Sequence, residues 1–314
     1  MKTTIALIAL TFTSFAGEWT NISDATTATV KPGYAGPTAG VVADRASGDV
    51  FMVVNDQGLW RSTDRGATFA RCDGGAIGGR CETGWALQAD PAGKRLACFM
   101  IYGSSAMTTD GGATWSKFKV THLDFGAVDW ADTGKRLLAI RHESGGMLTT
   151  SEDAGAAWRD LEKGFSGCGV VDHATFLATK EKEPGIFRST DTGATWAKVS
   201  DERPFAPVPV VVDGAIYWPA GKSLLVSRDK GATWTAMAVE ATHGPMFGKD
   251  STHFVVAGKS GISETLDSGK TWQHAAPLPA GFTTNRVGPN YAWDAKANIF
   301  YASTMTKPTF AFRR

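Results

Sequence analysis

The sequence predicts an all-β fold, a seven-bladed β-propeller built from four-stranded blades. One phrase, Ser/Thr-x-Asp-x-Gly-x-x-Trp/Phe, occurs six times in the 314 residues, and its aspartates are separated by 46, 43, 38, 38 and 38 residues. A period of about 40 residues is typical of propeller blades. Short apolar segments without helical periodicity flank the copies, which favours strands. The six aspartates are Asp64, Asp110, Asp153, Asp191, Asp229 and Asp267.

Each repeat has the same order of strands and turns, and the repeat at 125–161 shows it well. Asp132 and Gly134 suit a turn, because both residue types tolerate unusual backbone angles. The expected order is a strand at 126–130, a turn at 131–135, a strand at 136–141, a loop at 144–146, a strand at 147–150, the phrase itself, and a strand at 157–161. By the same pattern the seven blades begin near Ala39, Gly84, Phe125, Cys168, Val208, Pro245 and Pro289.

The last blade lacks a fourth strand at the C-terminus. Residues 291–294, 299–302 and 309–312 supply only three strands. The missing strand is expected from residues 18–23, which resemble the fourth strands at 195–200 and 233–237. The strand of Trp19 would then join the last blade and close the ring, so that no sheet edge stays open.

The N-terminus has the pattern of an export signal. Lys2 precedes a short apolar run at 5–12, and Ser14 and Ala16 are small residues at the positions that signal peptidase reads. A buried strand is the alternative interpretation of this run. We expect a signal peptide at 1–17, removed after Ala16 or Gly17, and a single propeller at 18–314. The protein would then be secreted or periplasmic.

Composition excludes some classes of partner. The net charge of +1 gives no reason to expect nucleic acid. The apolar run at 5–12 is too short to span a bilayer, and no later segment is long enough. We expect a monomer that binds a glycan, a polysaccharide or a protein.

The four cysteines fit an oxidising compartment without requiring one. Cys72 and Cys81 flank a glycine-rich stretch and are expected to form a disulfide, which would stabilise the loop by roughly 2–3 kcal/mol. Cys98 and Cys168 lie in apolar strands and are expected to be buried thiols. The chain contains no Cys-x-x-Cys or His-x-x-x-His spacing, so we expect neither a metal nor another cofactor.

The repeated phrase resembles the Asp-box, or BNR repeat, of bacterial sialidases, xyloglucan-active glycoside hydrolases, sortilin-type receptors and photosystem II assembly propellers. The resemblance covers nearly all of residues 18–314. It implies that each phrase forms the hairpin between third and fourth strands, on the face away from an active site. The six aspartates would then be structural, with each carboxylate accepting N–H groups in its own turn, and the Trp or Phe packing between blades.

The resemblance therefore directs attention to the opposite, upper face, where loops between second and third strands and the linkers between blades meet. Turns that hold His173 and His253 would point down. The candidate catalytic residues on the upper face are His122, Arg141, His142 and His243, and the candidate substrate-binding residues are Arg203, Arg286, Tyr102, Trp218 and Tyr291. Each alone also fits a solvated loop residue. Imidazoles as acid or base and arginines as carboxylate binders would suit an acidic sugar.

Two functions follow as hypotheses. The first is an enzyme that acts on a glycan or an acidic polysaccharide in a central pocket on the upper face. It would be either a glycoside hydrolase or a polysaccharide lyase. The sialidase motif Arg-Ile-Pro is missing, so ordinary sialidase activity is not expected. Asp56 stands where the xyloglucan-active hydrolases carry an aspartate, but those enzymes also use a second propeller.

The second hypothesis is a non-catalytic propeller that binds a glycan or a protein, or takes part in assembly. Short loops at 56–58 and 259–261 would lower the walls of any pocket, and aromatic residues would then matter more than histidines. A structural component of an extracellular assembly is a third possibility.

The two enzyme types of the first hypothesis need different residues. A lyase needs a base such as His or Tyr and an Arg for the carboxylate, whereas a hydrolase needs a carboxylate pair. The acidic residues available for such a pair are Asp56, Asp124, Glu143, Glu181 and Glu183.

Overall fold

A computed structural model describes residues 17–33, 36–132, 134–283 and 288–314 of the chain. It contains 28 strands and two short helical segments, a six-residue α-helix (α1, Asp24–Thr29) and a 3-10 turn at Gly84–Ala86. In chain order the strands are β1 (Trp19–Asn21), β2 (Thr38–Ala43), β3 (Val50–Val54), β4 (Gly58–Ser62), β5 (Ala70–Arg71), β6 (Leu87–Ala89), β7 (Leu96–Cys98), β8 (Ala106–Thr108), β9 (Ser116–Lys117), β10 (Leu123–Val128), β11 (Leu137–Arg141), β12 (Leu148–Ser151), β13 (Arg159–Asp160), β14 (Phe165–Val170), β15 (Phe176–Lys180), β16 (Ile186–Ser189), β17 (Ala197–Ser200), β18 (Val210–Val212), β19 (Ala215–Pro219), β20 (Leu224–Ser227), β21 (Thr235–Met237), β22 (His243–Phe247), β23 (Phe254–Gly258), β24 (Gly261–Thr265), β25 (Gln273–Ala276), β26 (Asn290–Asp294), β27 (Ile299–Thr304) and β28 (Lys307–Arg313).

The strands form seven antiparallel sheets of four, which confirms the predicted propeller. Six sheets consist of four consecutive strands, from β2–β5 (blade 1) to β22–β25 (blade 6). The seventh has the order β1-β28-β27-β26, with Trp19 opposite Phe312. The ring is therefore closed by the N-terminal strand, as the sequence predicted. Helix α1 was not expected from the sequence; six residues are too few to show a helical period.

Burial explains the order of strands within a blade. All five residues of β3 and β23 are buried, because a second strand is covered on both faces by neighbouring blades. The outermost strands β5, β9 and β13 have only two residues each, all exposed. The core therefore consists of the inner three strands, packed blade against blade.

The repeated phrase forms the turn between the third and fourth strands of blades 1 to 6. In the first copy, Ser62 Oγ donates to Asp64 Oδ1 at 2.7 Å and accepts from Gly66 N at 2.7 Å. Thr68 closes the turn from the other side, because its N–H and hydroxyl donate to the two carboxylate oxygens of Asp64 at 2.8 and 2.6 Å. Gly66 has a φ of 89°, which favours glycine there. Both carboxylate oxygens of Asp64 thus accept hydrogen bonds within its own turn.

The third copy carries a natural substitution in this network. Ala157 replaces the threonine, so Asp153 keeps the N–H bond at 2.8 Å but has no hydroxyl donor at that position. The threonine hydroxyls hold the pKa of the other five aspartates down at about 2, whereas the pKa of Asp153 is lowered mainly by the backbone N–H of Ala157.

A second aspartate recurs in the turns between first and second strands. Asp44, for example, accepts the N–H groups of Ala46 and Ser47 at 2.9 and 2.7 Å. Asp90, Asp129, Asp172, Asp250 and Asp294 accept turn N–H groups in the same way. These turns contact the turns of the repeated phrase, as in the bond from Thr192 N to Ala174 O at 3.0 Å, so both sets lie on one face, the lower face.

The predicted disulfide between Cys72 and Cys81 is not formed. Both residues are free thiols, and each sulfur faces a different carbonyl: Cys72 Sγ donates to Leu59 O at 3.4 Å, and Cys81 Sγ donates to Ala39 O at 2.9 Å. The two sulfurs therefore bond to different strands of blade 1, β4 and β2, which are separated by β3, rather than to each other across the loop. Cys98 and Cys168 are also free and buried. Spacing along the chain gave no information on these directions.

Neither of the described helical segments is long and apolar enough to cross a bilayer. The predicted signal peptide lies outside the described residues, apart from Gly17.

Candidate functional site

Aromatic side chains at the upper ends of the first strands close the central channel at the propeller axis. His243, at the start of β22, stacks on Trp85, with ring centroids 5.0 Å apart and an angle of 9° between the planes. Tyr291 packs against the same imidazole at 5.2 Å, edge to face. The three side chains are 2, 7 and 5% exposed. Because blades 2 and 6 lie on opposite sides of the ring, this contact crosses the channel.

This arrangement removes His243 from the candidate catalytic residues of the upper face. Burial lowers its pKa to about 3, while the backbone of Pro289 acts more weakly in the opposite direction. The imidazole is therefore neutral and shielded at physiological pH. The buried Tyr291 is likewise part of the closure rather than of an open binding surface.

A chain of hydrogen bonds on the upper face brings together three side chains from blades 2 and 3. Asp124 lies in β10, His142 directly follows β11, and Tyr102 lies in the loop between β7 and β8. Asp124 Oδ1 is 2.7 Å from His142 Nδ1, and His142 Nε2 is 3.0 Å from the hydroxyl of Tyr102. An ionised carboxylate can only accept, so Nδ1 carries the proton and Nε2 accepts from Tyr102. We call these three residues the relay.

The phenol is the most exposed group of the relay, and the imidazole is the least exposed. The exposed fraction is 42% for Tyr102, against side-chain values of 15% for His142 and 29% for Asp124. The pKa of Asp124 is raised, because the effect of burial exceeds that of the His142 hydrogen bond. The pKa of Tyr102 is also raised, through desolvation and the nearby Glu143 carboxylate. Tyr102 is therefore protonated at rest, and its hydroxyl forms hydrogen bonds with both Glu143 and His142.

Two further groups of the linkers surround Tyr102. The guanidinium carbon of Arg80 is 4.5 Å from the centroid of the Tyr102 ring, and Arg80 also pairs with Glu82 at 2.9 Å. His122 packs edge to face against the same ring, with 5.5 Å between the centroids and 85° between the planes. Its φ of 61° lets its carbonyl accept the N–H of His142 at 2.7 Å. His122 thus supports the relay by packing and by its backbone, while its imidazole bonds Thr121 at 2.9 Å.

Arg141 does not join this group, although it precedes His142. Its guanidinium turns outward, and its Nη1 donates to both carboxylate oxygens of Asp160, in the fourth strand, at 3.2 and 2.9 Å. Alternation along β11 explains this, since adjacent residues of a strand face opposite sides. Trp218 is also displaced from the candidate surface: it is fully buried and its Nε1 donates to Ala206 O at 2.8 Å. Arg286 lies outside the described residues.

Arg203 lines a separate polar cleft over blade 4. The cleft has a volume of about 390 Å³, and its wall includes Ser166, Lys180 and Glu181. Gly146 of the blade 3 loop accepts the N–H of Phe165 at 3.0 Å, and a Cβ at Gly146 would lie 3.2 Å from Glu181 Oε1, so the cleft borders the loop that carries His142. The structure therefore divides the candidates into the relay, the closed axis and this cleft.

Sequence reasoning missed two contributors. Trp85 was not selected, although an aromatic residue directly before a first strand is placed to reach the axis. Arg80 is not among the sequence candidates either, because nothing in the sequence shows that it covers Tyr102. Among the described residues, no cluster of His, Cys, Asp or Glu side chains could hold a metal ion.

Comparisons with known proteins agree with the architecture. No family model matches this chain. A xyloglucanase from Paenibacillus sp is 28% identical over 174 residues, which are 52% of this chain and only 15% of that protein. The GH74 enzyme of Niastella koreensis superposes with a TM-score of 0.62 at 15% identity, over 87% of this chain and 42% of that one. YCF48 bound to D1 peptide superposes with a TM-score of 0.57 at 13% identity, over 96% of both chains. At such identities the superpositions show the seven-bladed fold alone.

Proposed function

We propose that the upper face acts on an acidic polysaccharide by lyase chemistry, with Tyr102 as the group that meets the sugar. The observation that carries the proposal is the chain of hydrogen bonds from Asp124 through His142 to an exposed phenol, with a guanidinium over its ring. Such a chain moves a proton on and off one oxygen, which is the requirement of an elimination next to a carboxylate.

The relay accounts for each proton in such an elimination. Tyr102 Oη takes the proton on the carbon next to the sugar carboxylate as its own proton passes to His142 Nε2, and Asp124 stabilises the resulting imidazolium. The electrons of the broken C–H bond form a carbon–carbon double bond as the glycosidic C–O bond breaks. His142 and Tyr102 then return one proton to the departing oxygen, which restores the resting state.

Arg80 supplies the positive charge that this chemistry needs near the sugar carboxylate, by sharing its guanidinium between Glu82 and the substrate. A hydrolase mechanism is less well supported, because it needs two carboxylates free to act on one bond. Asp124 is already engaged with His142. The partial likeness to a xyloglucanase is consistent with a carbohydrate polymer as substrate.

The experiment is a screen of polygalacturonate, alginate and hyaluronan for unsaturated products, by their ultraviolet absorbance. Tyr102→Phe removes only the hydroxyl and is expected to lower the rate by about 10²–10⁴-fold. Arg141→Ala is the matched control, since Arg141 lies beside His142 in the chain but pairs with Asp160. Equal rates for wild type and Tyr102→Phe would overturn the proposed role of the relay.

A non-catalytic binding propeller is the second candidate. It is favoured by the near-complete mutual coverage with YCF48, whereas the chain covers less than half of the GH74 enzyme. If this candidate is correct, polyuronates or peptides bind the upper face without turnover. Saturable binding by wild type, with neither reducing ends nor unsaturated products released, would decide for it.

A further inference from the structure

Blades 3 and 4 share a backbone arrangement at the upper ends of their first strands. In blade 3, Asp124 is the extra residue of a bulge in β10, where β10 pairs with β11. In blade 4, Ser166 is the extra residue of a bulge in β14, where β14 pairs with β15. A bulge redirects a side chain at the end of a strand and is common beside functional sites. Ser166 is therefore the counterpart of Asp124, the carboxylate of the relay.

The ends of the second strands correspond as well. His142 donates its N–H to His122 O in blade 3 at 2.7 Å, and Glu181 donates its N–H to Gly164 O in blade 4 at 2.9 Å. His122 and Gly164 both have a left-handed backbone, with φ values of 61° and 92°. Glu181 is thus the counterpart of His142. The polar cleft of blade 4 therefore occupies the same place in its blade that the relay occupies in blade 3.

Two positively charged side chains line this cleft. Lys180 ends β15, and the exposed Arg203 lies in the linker to blade 5. Lys180 Nζ is 5.3 Å from the ring centroid of Phe165 and 4.8 Å from that of Phe187. Both rings are buried, so cation–π attraction to two fixed rings holds the ammonium group in place.

Neither of these charges is neutralised by the protein. Among the residues that the structure describes, neither the Lys180 ammonium nor the Arg203 guanidinium forms an ion pair with a carboxylate. In contrast, Lys198 in the fourth strand of the same blade pairs with Asp201 at 2.5 Å. The cleft therefore holds two positive charges that an anionic group of a ligand can approach.

The other polar groups of the cleft suit a ligand with hydroxyl groups. Glu181 lines the cleft and is exposed, and an ionised carboxylate can only accept hydrogen bonds. The hydroxyl oxygens of Ser166 and Thr179, 3.0 Å apart, belong to residues of the same wall. Glu181 would repel a simple inorganic anion, whereas a sugar acid offers it hydroxyl protons. The volume of about 390 Å³ lies within the range of ligand pockets.

We propose that the blade 4 cleft is a second subsite for the polymer, which binds a further uronate residue of the chain that reacts at Tyr102. Arg203 and Lys180 hold the carboxylate of this residue, and Glu181 accepts protons from its hydroxyl groups. The loop that carries His142 borders the cleft, so one polymer chain can contact the relay and the cleft together. The inference rests on the proposed function for its class of substrate.

The test measures the binding of hexasaccharides of polygalacturonate, alginate and hyaluronan by calorimetry. The protein carries Tyr102→Phe, so that turnover does not consume the ligand. Adding Arg203→Gln should weaken binding of the acidic hexasaccharide about tenfold or more, the worth of a hydrogen bond to a charged group. Lys180→Gln should also weaken it. In the wild-type background, Arg203→Gln should raise KM for the polymer more than it lowers kcat.

Lys182→Gln is the matched control. It removes the same charge two residues from Lys180, but Lys182 is exposed and does not line the cleft, so the affinity should stay within about twofold. Cellohexaose is the neutral counterpart of the ligand. It should bind no more tightly to the protein with Arg203 than to the Arg203→Gln variant, because it has no carboxylate.

The outcomes separate this inference from the lyase proposal. Equal affinity of the acidic hexasaccharides with and without Arg203→Gln, or no binding of any of the three, would refute the subsite. The lyase proposal would survive that result if wild type still released unsaturated products and Tyr102→Phe did not. Binding that depends on Arg203, without unsaturated products from wild type, would support the subsite and refute the lyase proposal.

Discussion

His243 of blade 6 stacks on Trp85 of blade 2 across the propeller axis, with 5.0 Å between ring centroids. The contact joins two blades that are far apart around the ring, and it closes the central channel between them. It also explains why His243, which the sequence suggested as an acid or base, is instead a neutral side chain packed in the core.

This burial makes stability depend on pH. The pKa of His243 is lowered from 6.5 to about 3 by desolvation, so between these values the unfolded chain binds one proton more than the folded chain. Stability from this group is complete above about pH 6.5 and is lost as the pH falls toward 3, by at most about 1.4 kcal/mol per pH unit. Denaturant unfolding of wild type and His243→Phe across this range is the measurement. The free energy of unfolding should depend less steeply on pH in the variant than in wild type over this range. The same dependence in both proteins would contradict the assignment.

Closure of the ring depends on β1. Trp19 packs on Phe312 at 5.5 Å between centroids and donates its Nε1–H to Pro277 O at 2.9 Å. Because the indole ring of Trp19 is only partly buried, Trp19→Ala should lower the free energy of unfolding by about 1–3 kcal/mol. Glu18→Ala, one residue away and exposed, should change it by less than about 0.5 kcal/mol. Equal stability of both variants in urea would show that β1 does not hold the last blade.

The free thiols predict insensitivity to reductant. Burial raises the pKa of both Cys72 and Cys81 to about 12, so neither thiol ionises near neutral pH. The thermal midpoint of the folded protein should be the same with and without dithiothreitol, and alkylation by iodoacetamide should be slow until the protein unfolds. A lower midpoint in reductant would restore the disulfide that the sequence suggested.

The incomplete third turn can be repaired. Ala157→Thr supplies the hydroxyl that Asp153 lacks, and the pKa of Asp153 should then fall to about 2, the value of its counterpart Asp64. Ala157→Ser offers a hydroxyl without the methyl group and tests whether the oxygen alone is sufficient. Carboxyl signals in nuclear magnetic resonance, followed against pH, give both values. An unchanged pKa of Asp153 in both variants would refute the role given to the threonine hydroxyl.

Local chemistry determined the fold from sequence alone. Each repeated phrase contains its whole hydrogen-bond network within seven residues, from Ser62 to Thr68 in the first copy, so its structure follows from the chain itself. The period then counts the blades, and the likeness of the strand of Trp19 to other fourth strands indicates ring closure. Strand starts were placed within about three residues, because turn residues mark them.

The tertiary structure alone decided which side chains meet. Arg141 and His142 are adjacent in the chain, yet one faces Asp160 and the other Asp124, since neighbouring positions at a strand end point in opposite directions. Tyr102 reaches His142 from a different blade, and Trp85 reaches His243 across the axis. Such contacts depend on the closure of seven sheets around one channel, a geometry in which separation along the chain carries little information about distance.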